Sequence, residues 1–322
     1  MYDCIIIGGG IAGLQASIQL GRYRHKVLVI DREDGRSTIC RSYHNVLGYP
    51  DGISGPALRE VGRKQAAGYG VHFIRGDATG AEHRGDRFVI RCEAENSLPT
   101  SYEGKALLLA TGVMDRIPQP EPPGLRECLG ISVYVCPDCD GYETIGKRTI
   151  VLGSGRAGAS MALTLTFFDN EIVFVNHERR PIDPSWMERL KREGIPMIEG
   201  PIERVLHAGA EEEGRFAGVR LASGETIEGD CGFIAFGGNE VRSDLAKQLG
   251  VERLENRHVM TDPRTKMTNV PGVWAAGDVA VHSEQLTIAM GEGQQAAIWM
   301  HKWLLAQART AERETAEAGA RG

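Results

Sequence analysis

The apolar residues of this chain fall into short blocks whose order repeats. Residues 4–7 (CIII) form an uninterrupted, mostly β-branched run, the pattern of a strand buried on both faces. Glycines follow at Gly8, Gly10 and Gly13, then apolar residues at helical spacing, then a second strand run over 26–30, apolar after Lys26, that stops at Asp31. About 145 residues later the design returns, with the run RTIVL, glycines at Gly153, Gly155 and Gly158, a helical pattern, and a run over 172–175 that stops at Asn176. Each unit predicts strand, turn, helix and strand within about 30 residues. Two further runs stand apart. Residues 106–109 lead into Ala110-Thr111-Gly112, and residues 272–275 meet Gly277-Asp278. From 284 to 308 the apolar spacing predicts one long helix whose first turn faces whatever Asp278 binds. The remainder, 309–322, is charged and alanine-rich without an apolar face, and predicts a frayed helix or disorder.

GxGxxG by spelling alone is a weak signal, because glycine-rich turns are common. Context gives it physics here: each copy follows a strand and opens a helix. There the glycines allow a tight turn, let the backbone approach a pyrophosphate, and leave the helix N-terminus facing it. Gly8, Gly10 and Gly13 are therefore read as a dinucleotide site. Asp31, eighteen residues past Gly13, is placed to accept hydrogen bonds from an adenosine ribose, and an empty crevice would leave that carboxylate without a task. The fold class that follows is α/β, with two Rossmann-like, doubly wound, three-layer dinucleotide-binding domains. The second is inserted in the first: 1–114 and 239–322 form the discontinuous domain, and 115–238 the insert.

With 322 residues, the chain is long enough for two domains that each bury a core. Net charge is -6 and basic residues are scattered, so there is no electrostatic footprint for nucleic acid. The opening MYDCIIIGGG has no basic leader region and its apolar run is far too short to span a bilayer, so no membrane association and a cytoplasmic location are expected. Seven cysteines, an odd number, suit a reducing compartment. Cys4, Cys40, Cys92, Cys128 and Cys231 are isolated and read as small packing residues.

Cys136 and Cys139 are different, because VCPDCDG sets them three apart beside Asp138 and Asp140. A metal clip, a structural pair and a redox centre are the readings. Zinc normally takes a tetrahedral ligand set, often two CxxC pairs, and this chain has one such pair without a partner; no metal is expected. The redox reading rests on the small disulfide loop that CxxC closes, which can open without rearranging a fold. Pro137 fixes one φ and removes one donor inside that loop. Asp138 either raises a thiol pKa by repulsion or biases partner choice. His44 and His177 lie near these motifs and read as surface or packing residues.

Taken in order, GGGIAG at 8–13, NVLGYPDGISGPAL at 45–58, ATG at 110–112, CPDCDG at 136–141 and GVWAAGDV at 272–279 resemble the low-molecular-weight thioredoxin reductase family. These are class II FAD-dependent pyridine nucleotide-disulfide oxidoreductases, and the resemblance covers nearly the whole chain. It implies a homodimer with FAD held by the split domain at Gly8, Gly10, Gly13, Asp31, Asn45, Thr111, Gly277 and Asp278, with Gln285 and Thr287 near the ring. It also implies that Cys139 touches the flavin, that Cys136 attacks the disulfide of a thioredoxin-like protein, and that Asp140 protonates the leaving thiolate. In the family a rotation of the inserted domain carries the pair between flavin and substrate.

The second glycine turn departs from the family's NADPH site. Relatives carry an acidic pair early in the helix and a His-Arg-Arg run after the second strand, whereas this chain has Ser160-Met161 and Asn176-His177-Glu178. A glutamate facing a phosphate dianion is repulsive. Arg179 and Arg180 come two residues late and reach a 2′-phosphate only if the loop curls back. Three donors stay open: NADPH held at Gly153, Gly155, Gly158, Arg179 and Arg180; NADH; or reduced ferredoxin, as in members of the wider family that lack NADPH motifs. Two competing activities also remain. One is a dithiol oxidase passing electrons to oxygen, which usually shows a histidine where this chain has Asp140; the other is a redox-sensing flavoprotein that does not turn over.

Overall fold

The computed structural model describes residues 1–93, 98–209, 214–280 and 283–320, apart from the side chains of 311 and 314–320. The chain divides into two compact units. The first takes Met1–Thr38, Pro56–Met114 and Val241–Gly322, and the second takes Ile39–Gly55 and Asp115–Glu240. The loop Ile39–Gly55 thus groups with the second unit, although motif order runs it within 1–114.

In chain order, the first stretch supplies β1 (Tyr2–Ile7), α1 (Ile11–Arg22), β2 (Val27–Asp31), α2 (Gly55–Ala67), β3 (His72–Arg75), β4 (Asp77–Arg84), β5 (Arg87–Glu93), β6 (Thr100–Leu109) and β7 (Val113–Met114). Next come α3 (Leu125–Cys128), β8 (Val133–Tyr134), α4 (Pro137–Asp140), β9 (Arg148–Gly153), α5 (Gly155–Leu165), β10 (Glu171–Asn176) and α6 (Pro184–Arg192). β11 (Met197–Glu199), β12 (Ile202–His207), β13 (Phe216–Leu221), β14 (Thr226–Glu228) and β15 (Cys231–Ala235) follow. β16 (Glu240–Val241), α7 (Asp244–Gln248), β17 (Val273–Ala275) and α8 (Leu286–Ala320) close the chain.

In the first unit β1 lies between β2 and β6, parallel to both, while β3 and β17 continue the parallel sheet on either side. The start of β6 turns to other partners, pairing antiparallel with β5, which pairs with β4. Period-two alternation assigns the two faces. Cys4, Ile6, Val29 and Leu108 pack with Ala16, Leu20 and Met300 of the helices, and Ile5, Ile7, Ile30 and Leu107 pack with Phe88, Ile90 and Val273. Burial on both faces is why these strands read as unbroken apolar runs.

The second unit repeats the plan with a parallel sheet in the order β11-β10-β9-β15-β8, plus the antiparallel strands β12, β13 and β14. Both units are Rossmann-like, each built on a parallel sheet, as the paired glycine turns predict. At the C-terminal end, where a frayed helix or disorder is expected, the helical alternative is found: past 308, where apolar spacing stops, α8 continues to Ala320, and 321–322 lie outside the described residues. Alanine, glutamate and arginine are strong helix formers, and extending a nucleated helix costs little. Among the described residues no helix is long and apolar enough to cross a membrane.

α8 also shows how close two helices come. A Cβ on Gly293 would lie 2.1 Å from the Ala12 carbonyl oxygen of α1, whereas one on Gly291 would meet nothing within 4 Å. Opposite outcomes are expected from the same substitution two residues apart. Gly291→Ala should stabilise by roughly 0.5–1 kcal/mol through helix propensity, and Gly293→Ala should destabilise by about 1–3 kcal/mol or more through overpacking. Urea denaturation of both variants checks the pair, and equal shifts would refute the close crossing.

Candidate active site

The turn after β1 is built by contacts that only glycine permits. Gly8 has φ +103, and a Cβ there would lie 2.2 Å from the Ala110 carbonyl oxygen; a Cβ on Gly13 would lie 1.9 Å from the Gly8 oxygen. α1 is thereby pressed onto the strand end. Its N-terminus has no side-chain cap and no acidic residue in its first turn, and a Cβ on Gly10 would meet open space. Uncapped N–H groups beside open space suit a phosphate. Asp31 ends β2 against Gly9 and is buried, so the carboxylate and the turn share one crevice. The expectation that Asp31 has no task without a ligand is corrected: its Oδ2 takes a hydrogen bond from Arg59 Nη2 at 2.7 Å, with Arg63 Nη2 at 3.7 Å. An unpaired buried carboxylate would be costly, and Arg59 of α2 removes that cost.

The other expected residues of this unit gather through α8. Gly277 packs against α1, its Cβ position 2.9 Å from the Ala12 Cβ, and so brings the Gly277-Asp278 turn to the start of α1. Its N–H donates to Glu292 Oε2 at 2.8 Å, and the buried Glu292 is paired with Lys266 at 2.7 Å. Gln285 stands half-buried just before α8, and Thr287 is exposed in its first turn. The Thr111 hydroxyl donates to the Arg242 carbonyl, and Arg242 grips Asp34 with bonds of 2.8 and 3.0 Å. Asn45 is exposed and belongs to the second unit. Motif reading missed Arg59, Glu292 and Arg242, because no local pattern marks a partner that arrives from another element.

In the second unit α4 holds Cys136, Cys139 and Asp140 in one turn. The Cys136 carbonyl accepts the N–H groups of Cys139 at 3.2 Å and Asp140 at 3.1 Å, with Pro137 opening the helix. Cys136 caps the turn with extended backbone, so Cys136, Cys139 and Asp140 are held within a single turn of one another. Cys136 is 9% exposed, Cys139 and Asp140 are half-buried, and Asp138 points to solvent. Burial first, and the Asp140 carboxylate next, push the Tyr134 phenol above its ordinary range, so Tyr134 keeps its proton and donates it to the Ile131 carbonyl at 3.0 Å. The isolated cysteines differ: burial drives the Cys4 thiol well up and the Cys128 thiol to about 11, which makes both poor nucleophiles. Among the described residues no cluster of three or more histidine, cysteine or acidic side chains could hold a metal. His177 accepts the Ile202 N–H at 2.8 Å and packs edge-on against Phe236, while His44 stands 3.4 Å from Glu143.

The second glycine turn is not open. The Gly155 N–H donates to Asn176 Oδ1 at 3.0 Å, and the Arg180 Cβ lies 3.0 Å from where a Cβ on Gly155 would stand. Glu178 is half-buried and paired with two cations: Arg116 bonds it at 3.2 and 2.5 Å, and Arg180 at 3.2 and 3.3 Å. The Arg116 hydrogen bond, working against burial, holds the Glu178 carboxyl down from 4.5 to about 2. Arg179 is exposed, with φ +50.

Residues 2–293 match the family model described as pyridine nucleotide-disulphide oxidoreductase. The chain belongs to this family. Its match to the thioredoxin reductase of Peptoclostridium acidaminophilum is 30% identical over 320 residues, covering 94% of this chain and 97% of that protein. Among solved structures, HlmI superposes with a TM-score of 0.84 at 29% identity, covering 98% of this chain and 96% of the other. Thioredoxin reductase from Streptococcus pyogenes MGAS5005 superposes with 0.82 at 25% identity, covering 95% and 99%. The pyridine nucleotide-disulphide oxidoreductase is thus of the low-molecular-weight thioredoxin reductase type, a flavin disulfide reductase whose cofactor is FAD. The uncapped α1 turn and Asp31 fit FAD; the filled α5 turn does not fit a 2′-phosphorylated dinucleotide.

Two outcomes follow. The protein should purify yellow with FAD that heat releases, and Gly8→Val, which can neither adopt φ +103 nor clear Ala110, should purify colourless; equal flavin absorbance per chain would refute the cradle. The Glu178 pairing should contribute its full stability above the unfolded value of 4.5 and lose it as pH falls toward 2. Urea midpoints should therefore fall more steeply between pH 4.5 and 2 for the unmodified protein than for Glu178→Gln. Parallel slopes would show that the carboxyl is not held down.

Proposed function

We propose that this flavin disulfide reductase acts on a thioredoxin-like protein through a Cys136–Cys139 pair that cycles between dithiol and disulfide. The observation that carries this reading is the single turn of α4, which holds both cysteines and Asp140 within one turn, their backbones tied through the Cys136 carbonyl. In this proposal the β1–α1 domain (1–114 and 239–322) holds the flavin and the insert (115–238) carries the pair. The chain works as a homodimer in the cytoplasm. FAD, when bound, supplies a two-electron reservoir for the pair.

The residues divide the work by chemistry. As a thiolate, Cys136 attacks one sulfur of the substrate disulfide; the bond between the substrate sulfurs breaks, and Asp140 gives its proton to the departing thiolate. Cys139 then attacks Cys136 in the mixed disulfide, closing the small loop and releasing the second substrate sulfur, which takes the proton that the Cys139 thiol gives up. The substrate gains two electrons and two protons, and the cysteine pair loses two electrons. Because Cys136 is 9% exposed, a protein disulfide reaches it only after the sulfur becomes accessible, which calls for a conformational step in each cycle. The electrons reach the flavin from a nicotinamide nucleotide or from reduced ferredoxin. Anaerobic titration with each, following flavin absorbance, separates these donors.

Cys136→Ser should keep FAD, gain a long-wavelength charge-transfer band from the remaining Cys139 thiolate, and lose thioredoxin reduction; Cys139→Ser should lose activity without the band. Asp140→Asn should slow turnover by roughly 10² or more with flavin content intact. If both serine variants reduce thioredoxin at the unmodified rate, the redox centre lies elsewhere.

A further inference from the structure

We infer that Arg116 and Arg180, by closing on Glu178, occupy the place of a dinucleotide 2′-phosphate, so that this trio makes the second glycine turn refuse NADPH. The inference rests on reading the second unit as a nucleotide-type domain.

Three layers of contact fill the site from within. In an open turn of this kind the first N–H groups of the helix face a pyrophosphate. Here the Gly155 N–H is satisfied by Asn176 Oδ1 at 3.0 Å, a buried contact at the end of β10. The same side chain donates from Nδ2 to the Arg180 carbonyl at 2.9 Å, and the Arg179 N–H donates to the Asn176 carbonyl at 3.1 Å. Asn176 therefore bolts the loop to the turn. Arg180 and the Pro181 carbonyl, 3.0 and 3.5 Å from the Cβ position of Gly155, form a roof where the ligand backbone would pass.

Charge completes the closure. Glu178 receives two hydrogen bonds from Arg116 and further contacts from Arg180 at 3.2 and 3.3 Å. Arg116 is itself fixed, donating to the carbonyls of Gly237 at 2.6 Å and Phe236 at 2.9 Å. Such forked, charge-assisted bonds are the kind a 2′-phosphate would need. An incoming phosphate has to displace a carboxylate of its own sign from both arginines. Arg180 does curl back, as its place in sequence permits, but it curls onto Glu178. Arg116, 62 residues before that glutamate, is the further specificity-determining residue.

Calorimetric titration of the purified flavoprotein with adenosine 2′,5′-bisphosphate, a probe of the 2′-phosphate site, tests the inference. The unmodified protein should show no saturation at millimolar probe. Glu178→Gln should bind it at least tenfold more tightly, with affinity falling as salt rises; adding Arg116→Ala should remove the gain, and ADP, which lacks the 2′-phosphate, should show none. Micromolar binding by the unmodified protein, or no gain in a Glu178→Gln variant that keeps normal flavin content and unfolds cooperatively, overturns it. Should that variant not fold, Glu178→Ser takes its place under the same two outcomes. Rapid flavin bleaching of the unmodified protein by micromolar NADPH overturns the inference without any variant. Thioredoxin reduction by dithionite-reduced protein reads the disulfide chemistry separately, so its failure removes the proposed function and leaves the closed turn standing.

Discussion

How closely a helix N-terminus can approach the strand before it is the constraint on which both units depend. In the first unit the approach is backbone to backbone, with the Gly13 Cβ position 1.9 Å from the Gly8 oxygen. In the second, the Gly158 Cβ position is 2.2 Å from the Phe174 ring and 3.2 Å from the Gly153 Cα. No side chain other than hydrogen fits either contact without moving the helix. Once the helix is seated, its first N–H groups stand at the C-terminal edge of the sheet, where α/β folds put their ligands. The first unit tightens the arrangement from the other side, because Gly277 and Gly293 both press on Ala12 of α1.

The same local design then meets two different surroundings. Opposite α1 stands Asp31, whose charge is balanced by Arg59 from below the crevice, while Gly10 stays open. Opposite α5 stands Asn176, which turns its amide oxygen onto the helix and its amide nitrogen onto the next loop. An aspartate at the strand end accepts bonds and leaves the helix N–H groups to a ligand. An asparagine both accepts and donates, so it can tie the helix and the loop together. One amide in place of one carboxylate goes far toward separating a receptive turn from a closed one.

That contrast marks how far the chain could be read from its letters. Glycine spacing, the runs ending at Asp31 and Asn176, and the C-P-D-C turn were legible because each is a local pattern with a local cause. Arg59 was not, since it reaches Asp31 from a helix 28 residues away whose own pattern is unremarkable in spacing and charge. Arg116 was not either. Read alone, Glu178 looks like a repulsive charge, and only the fold gives it two cations; a charge next to a motif says little until the residues brought from elsewhere are known. The antiparallel partners β4 and β5, and the strands β12 to β14, were also unread, because charged and polar residues interrupt them where the buried parallel strands are continuous apolar runs. Past 308 helix and disorder could not be told apart from the letters, because the segment has no apolar face and propensity alone extends it.

These observations also say what a GxGxxG run is evidence for. Its first and last glycines answer to packing: Gly8 and Gly13, like Gly153 and Gly158, are required by contacts with their own chain, whatever the crevice holds. Losing a ligand would not relax those contacts, so the outer glycines would be needed in an empty or filled turn alike. The middle glycine is the one that faces outward. Around Gly10 there is space, and around Gly155 there is Arg180. The ligand information of the motif therefore resides in its centre and in whatever stands over it, and by that criterion this chain has two dinucleotide folds and one turn receptive to a dinucleotide.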